Sequence, residues 1–237
     1  MTVSMRTEGP VAIVTIDNPP VNAVSQAVRQ GLVDAVATTE SAADIRAVVL
    51  ICAGKTFVAG ADVREFGKPP VEPHLPDVIL ALEGTSKPWI AAIQGSALGG
   101  GLEIAMGCHY RIADKAARFG LPEVLLGLIP GAGGTVRLPR IVNVATALAM
   151  MANGKPMTAQ AALQNGLVDA VVDAALLDEA RRLAEDVMTS ALPVPILKRA
   201  LPKYDADAIA AQMRGIAAKA RGQNSPVAIC EAVQNTL

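Results

Sequence analysis

The chain has 237 residues, enough for one large domain or two small ones, and it is 51% hydrophobic with 18% charged residues, so it can bury a sizeable core. A formal charge of −1 gives no electrostatic footing for nucleic acid or anionic lipid. Two histidines and three scattered cysteines (Cys52, Cys108, Cys230) argue against a metal site, and fit reduced thiols in a reducing compartment rather than disulfides.

Aromatic residues make up only 3%, which leaves Ala, Val, Leu, Ile and Met to fill the core. The opening MTVSMRTEGP has no apolar signal region, apolar stretches such as 47–51 are far too short to span a bilayer, and the final NTL matches no obvious sorting signal. The expectation is a soluble, cytoplasmic protein with no membrane partner.

Along the chain, "VAIVTID" (11–17) reads as a strand broken by the prolines of "NPPVNAV". "SQAVRQGLVDAVATTES" reads as a helix with Ser25 as its N-cap. "IRAVVLICAG" (45–54) is a continuous apolar, β-branched run, as expected of a strand covered on both faces. The four prolines of "GKPPVEPHLPD" (67–77) predict a loop without regular structure. "KPWIAAIQG" (87–95) is a third buried run with Trp89 in the sheet core, followed by a helix from about residue 98 and a short strand around "HYRIAD". Arg111 and Lys115 are expected to be solvated. "TAQAALQNGLVDAVVD" reads as helix, glycine stop at Gly166, then a strand at 168–172; 178–191 and 206–221 are helical. Strands alternating with helices indicate α/β architecture with a parallel sheet. No boundary divides the first 190 residues, so 1–190 is expected to form the core, with 191–237 a separate helical segment introduced by "LPVP".

Three loops carry the residues of chemical interest. In "QGSALGGGLEIAMGC" (94–108) a glycine run ends a buried strand and opens a helix, whose first N–H groups lack internal partners and carry the positive end of the dipole. Glycine allows close approach to that backbone, and helical side chains lean back toward the N-terminus, so Glu103 is expected over Gly99 and Gly100. The competing reading is a first-turn Glu that only stabilises the dipole. "GKTFVAGADVREF" (54–66) follows a buried strand and exposes amides around Ala61 beside Gly60; the alternative is an ordinary turn in which Asp62 caps a helix. In "FGLPEVLLGLIPGAGGTVRLPRIVN" (119–143), Glu123 lies among apolar residues, which disfavours its charge and suits a general acid or base. A structural ion pair with Arg137 or Arg140 is the alternative. Residues 130–134 form a glycine turn before a helix near Thr135.

Two carboxylates and two backbone donors suit one chemistry in particular. Donors facing a thioester oxygen stabilise a developing enolate, and two acids at one substrate split their pKa values, one ionised and one protonated. Other catalytic sets are weaker: there is no GxSxG, no GK[ST] closing the glycine run, and no GxGxxG with an acidic residue downstream, hence no NAD domain.

With these motifs in hand, the chain resembles the crotonase family, the enoyl-CoA hydratases and isomerases. "TFVAGADVREF", "AAIQGSALGGGLEIAMGC" and "FGLPEVLLGLIPGAGGTVRLPRIV" stand in family order, and "IDNPPVNAV" and "TAQAALQNGLVDAVV" extend the match to about residue 190. The texture of "NPPVNAV", "GCHYRIAD" and "SPVAICEAVQ" is closest to the N-terminal hydratase/isomerase part of bifunctional enzymes that continue into a 3-hydroxyacyl-CoA dehydrogenase.

The resemblance implies an α/β fold, a spiral of ββα units with a helical C-terminal segment. It implies Glu103 and Glu123 as the catalytic pair, and the amides of Ala61 and Gly100 as the oxyanion hole. It places CoA along Ala59, Ala61, Asp62, Val63 and Arg64, the last at a position often basic in the family. No cofactor is implied, CoA being part of the acyl-CoA substrate. The implied activity is hydration of a trans-2-enoyl-CoA in fatty acid β-oxidation. Δ3,Δ2-enoyl-CoA isomerase activity alone and a silent acyl-CoA-binding fragment are the alternatives. Stand-alone members often build trimers or dimers of trimers.

Overall fold

In a computed structural model the chain is described from Thr2 to Leu237, apart from Phe66 and Ala174. Phe66, the last residue of the "TFVAGADVREF" motif, therefore lies outside the described residues. Strands β1 (Val3–Glu8) and β2 (Val11–Ile16) precede helix α1 (Gln26–Ser41). Then come β3 (Ala47–Cys52), β4 (Val58–Ala59) and α2 (Leu75–Glu83), followed by β5 (Trp89–Ile93), β6 (Ser96–Leu98) and α3 (Gly100–Gly107). β7 (Tyr110–Asp114) and β8 (Arg118–Gly120) lead through a 3-10 turn, Pro122–Leu126, into α4 (Gly134–Ile141) and α5 (Val144–Asn153). β9 (Met157–Thr158), α6 (Ala159–Gln164), β10 (Ala170–Val172), α7 (Leu176–Val187), α8 (Ala206–Lys219) and α9 (Asn224–Gln234) complete the order.

The strands divide between two sheets. One is six-stranded, in the order β1-β2-β3-β5-β7-β10, and the other four-stranded, in the order β4-β6-β8-β9. From β2 onward the larger sheet is parallel. Each repeat of the fold gives one strand to the larger sheet, one to the smaller, and then a helix: β3-β4-α2, then β5-β6-α3. In the first repeat a lone parallel bridge between Val24 and Ala61 stands in for the second strand. This is the spiral of ββα units that the sequence led us to expect. Gly95 makes the tight step from β5 to β6: its φ is +60°, and a Cβ there would stand 2.1 Å from the Lys55 carbonyl oxygen.

The apolar runs bury both faces of the larger sheet. Ala12, Val14 and Ile16 point into the larger core together with Val48, Leu50 and Trp89. Val11, Ile13, Ala47 and Val49 point into a smaller core closed by Ala180 and Ala184 of α7. Strand alternation thus divides each of these runs between two interiors. Ser25 caps α1 by accepting from the Val28 amide at 3.4 Å. In the C-terminal segment, α8 and α9 pack against α5, and α9 also against α4. Among the described residues no helix is long and apolar enough to cross a membrane.

Three expectations are corrected, and one strand is added. The loop over 67–77 ends at His74: Pro76 lies in the first turn of α2, where a missing N–H costs nothing. The helix expected from residue 98 begins at Gly100, because 96–98 are held as β6 between β4 and β8. Strand β1 was not foreseen; five of its six side chains are not buried, so it shows no apolar alternation. Arg111 is buried rather than solvated. Its guanidinium donates to the carbonyls of Cys108 (2.7 Å) and Leu167 (2.8 Å) and lies 3.8 Å from Asp169. The Cys108 carbonyl belongs to the C-terminal end of α3, so a cation there complements the negative pole of a helix whose positive pole faces the cavity described next.

Candidate active site

A cavity of about 420 Å³ opens where the two ββα units and the 120–134 loop meet. Gly99, Gly100 and Glu103 form one wall, Ala59, Gly60, Ala61 and Val63 a second, and Pro122, Glu123, Leu126, Leu128 and Ile129 a third. Leu75 and Pro76, from the start of α2, complete the lining. The site residues expected from the three loops are therefore brought together, with the exceptions given below.

Backbone geometry prepares the donor wall. Gly99 adopts φ 53°, ψ −126°, a conformation open to glycine and strained for any residue with a Cβ. It turns the chain from β6 into α3, so Gly100 is the first helical residue and its N–H has no intrahelical acceptor. Across from it, Gly60 (φ +102°) accepts from the Val24 amide at 3.0 Å, while the Ala61 amide donates to no acceptor among the described residues. Two unengaged amides thus border one cavity.

The carboxylates reach it differently from what the spacing predicts. Glu103 is 3% exposed, and its Oε1 accepts from the amides of Ala132 and Gly134, each at 2.8 Å. Gly134 is the first residue of α4, so Glu103 spans from α3 to the positive pole of a second helix instead of folding back over Gly99 and Gly100. It is Glu123 that lies against Gly99, its Oε1 being 3.1 Å from where a Cβ on that glycine would stand. Glu123 Oε2 is buried without a hydrogen-bond partner. The expected alternative, an ion pair between Glu123 and Arg137 or Arg140, does not form: Arg137 pairs with Glu83 at 2.9 Å, and Arg140 donates to the Val136 carbonyl at 2.7 Å.

Their titration differs accordingly. Burial, with a smaller contribution from the charge of Glu103, holds the Glu123 carboxyl well above the usual carboxylate range, at about 7. Burial raises Glu103 as well, but there the Gly134 and Ala132 amides and the Arg137 charge act in the opposite direction.

The segment expected to border CoA divides. Ala59, Ala61 and Val63 line the cavity, whereas Asp62 faces a neighbouring groove of about 350 Å³ that shares Ala61 and Leu75 with it. Asp62 also does what its alternative reading required, accepting the Arg64 amide at 3.0 Å in a short 3-10 turn, Val63–Glu65. Arg64 is turned to solvent and paired with Asp62 at 2.7 Å, lining neither space.

Two contributors went unnoticed in the sequence. Arg29 of α1 donates to Glu65 (2.8 Å) and to the carbonyls of Pro73 (2.7 Å), Val71 (3.1 Å) and Val24 (3.2 Å), tying the Ala61 loop to the approach to α2. Its signal was a charged residue on the apolar stripe of Val28, Leu32 and Ala35. Leu75 was assigned to the proline loop, and its side chain fills the space a Cβ on Gly100 would need, at 2.8 Å.

A family model described as enoyl-CoA hydratase/isomerase matches residues 6–228. The peroxisomal bifunctional enzyme of Danio rerio is 41% identical over 232 residues, 94% of this chain and 32% of that protein. A probable enoyl-CoA hydratase of Bacillus subtilis is 41% identical over 193 residues, 77% of this chain and 74% of that one. Among solved structures, an enoyl-CoA hydratase from Bacillus anthracis superposes with a TM-score of 0.75 at 29% identity, covering 100% of this chain and 91% of its own. The chain thus spans about a third of the length of the bifunctional relative and most of the length of the hydratases.

Proposed function

The chain belongs to the enoyl-CoA hydratase/isomerase family, and from that premise we propose that it adds water across the 2,3 double bond of a trans-2-enoyl-CoA to give a 3-hydroxyacyl-CoA. The observation that carries the reading is the convergence of Glu103, Glu123 and the amides of Ala61 and Gly100 on one cavity.

The thioester oxygen lies between the Ala61 and Gly100 amides. Glu103, its charged form favoured by the two amides on its Oε1 against the effect of burial, takes a proton from water as the water oxygen bonds to C3. The π electrons move onto the thioester as an enolate, which the two amides stabilise. Glu123, whose burial favours the protonated form and whose Oε2 has no hydrogen-bond partner, gives its proton to C2. Passage of the proton from Glu103 to Glu123 restores the starting state. The acyl chain lies against Leu126, Leu128 and Ile129, and the CoA moiety leaves along the groove beyond Ala61 and Leu75. In this role the chain supplies the 3-hydroxyacyl-CoA of fatty acid β-oxidation.

The unpartnered Glu123 Oε2 also favours a second activity, transfer of a proton from C2 to C4 of a 3-enoyl-CoA with the bond shifting to the 2,3 position. The test is loss of enoyl-thioester absorbance with crotonyl-CoA, beside Glu123→Gln and Glu103→Gln. Hydration that collapses in both variants supports the proposal. Turnover of a 3-enoyl-CoA spared in Glu103→Gln, with no hydration by the unaltered chain, replaces it with isomerisation alone.

A further inference from the structure

Behind Glu103 lies a buried ion pair that the proposed reaction does not use directly. Glu83, the last residue of α2, meets Arg137 of α4 at 2.9 Å, with side chains 8% and 4% exposed. Desolvation offsets the attraction of such a pair, and apolar residues of similar volume are often at least as stabilising, so stability alone does not account for it. Its remaining contacts point toward the cavity. Arg137 Nη1 donates to the Ala132 carbonyl at 3.3 Å, and the amide of that same residue is one of the two donors to Glu103 Oε1. Between Ala132 and Gly134 the chain turns at Gly133 (φ +99°), where a Cβ would stand 2.2 Å from Arg137 Nη1. On the other side, Glu83 Oε1 accepts the Leu197 amide at 3.1 Å. Leu197 belongs to a 3-10 turn, Ile196–Lys198, near the start of the C-terminal segment. A continuous polar chain therefore runs from Leu197 through Glu83, Arg137 and Ala132 to Glu103.

We propose that Arg137 is a positioning residue for Glu103, that Glu83 holds it in place, and that the C-terminal segment completes this clamp through Leu197. The inference rests on the reading of Glu103 as the carboxylate that works on water. Arg137 acts in two ways. It fixes the turn whose amides receive Glu103, and it sets a positive charge behind a carboxylate that burial would otherwise neutralise. The charged groups around Glu103 are few. Glu123 faces it from the 122–126 turn and Arg137 from α4. On α2, Glu83 is engaged by Arg137 and Asp77 is exposed, while β4 and β6 carry no titratable side chain.

The test uses the full chain with both charges replaced together, Arg137→Met with Glu83→Leu, and separately with Arg137→Lys. Three quantities are read: the unfolding midpoint, the titration of Glu103 by carboxyl-carbon NMR (assigned with Glu103→Gln), and the pH profile of kcat for crotonyl-CoA. In a folded double variant Glu103 should titrate higher than in the unaltered chain, because an adjacent positive charge has been lost. The acid limb of kcat should follow it. kcat should fall roughly tenfold to hundredfold with KM nearly unchanged, the loss expected when a reacting group is misplaced. Arg137→Lys, which keeps the charge and loses the fork, should leave the acid limb in place and still lower kcat. An unmoved Glu103 titration in the double variant overturns the electrostatic role. If the double variant does not fold, unchanged kcat in Arg137→Lys overturns the positioning role. If the unaltered chain turns over nothing, the hydratase reading fails by itself, and the NMR titration still decides whether Arg137 governs Glu103.

Discussion

Gly99 and Glu123 meet across the cavity: a Cβ on the glycine would stand 3.1 Å from the carboxylate Oε1, at a backbone φ of +53°. The carboxylate occupies the room that the missing side chain leaves. Gly99→Ala should therefore fold with a lowered unfolding midpoint and lose roughly a hundredfold in kcat, because both Glu123 and the start of α3 are displaced. Unimpaired hydration by a folded Gly99→Ala protein would contradict this arrangement.

The unpartnered Glu123 has a thermodynamic signature. Its carboxyl titrates at about 7 in the fold against an ordinary value of 4.5. Between those values the native state retains a proton that the unfolded chain has released, so stability falls as pH rises through the window and levels off above it. Glu123→Gln lacks that titration. Its unfolding midpoint relative to the unaltered protein should rise between about pH 5 and pH 8, by about 2–4 °C for each kcal/mol recovered. Hydration should fall at least ~100-fold in the same variant. A midpoint difference that stays flat with pH would mean that Glu123 is not buried as an acid.

Arg29 serves four acceptors from α1, and no other residue type offers the same fork. Arg29→Met should destabilise the fold by ~3 kcal/mol in urea unfolding and loosen the loop that carries Ala61. Arg29→Lys should recover little of either. The expected readout is a fall in kcat/KM of at least tenfold in both variants; recovery in the lysine variant would reduce the role of Arg29 to charge alone.

The three thiols should be inert in the native protein. Cys52, Cys108 and Cys230 are free and buried, and burial pushes the Cys108 thiol up to about 12. A thiol-disulfide reagent should therefore label none of them rapidly at neutral pH and all three after unfolding. Rapid labelling of the native chain would show that these interiors open.

What the sequence disclosed, and what it hid, divides by range. Gly99, Gly100 and Ala61 were legible because local conformation makes glycine necessary beside them, and Glu103 and Glu123 because a carboxylate in an apolar run is conspicuous. The destination of Glu103 was not legible: local helix geometry leans it toward Gly99, but the free amides of Ala132 and Gly134, about thirty residues away, draw it elsewhere. Arg111 was misjudged for the same reason, since the carbonyls that hold it are exposed only when α3 ends at Cys108 and the chain returns at Leu167. The first turn of α2 was concealed by Pro76, which belongs equally to a loop and to a helix start. The buried strands β2, β3 and β5 were legible because their own apolar runs define them; β1, with five of its six side chains not buried, was not.

The two groups that would grip a thioester are main-chain amides, while the two that would act on water are side chains. No single codon change deletes a main-chain N–H, short of installing proline, whereas either glutamate can be replaced in one step. On the proposed reading, the capacity to hold an enolate would be inherited with the backbone path, and the fate of that enolate would be open to revision. Exchanging carboxylates would then redirect the chemistry of an acyl thioester without rebuilding the site proposed to stabilise the intermediate.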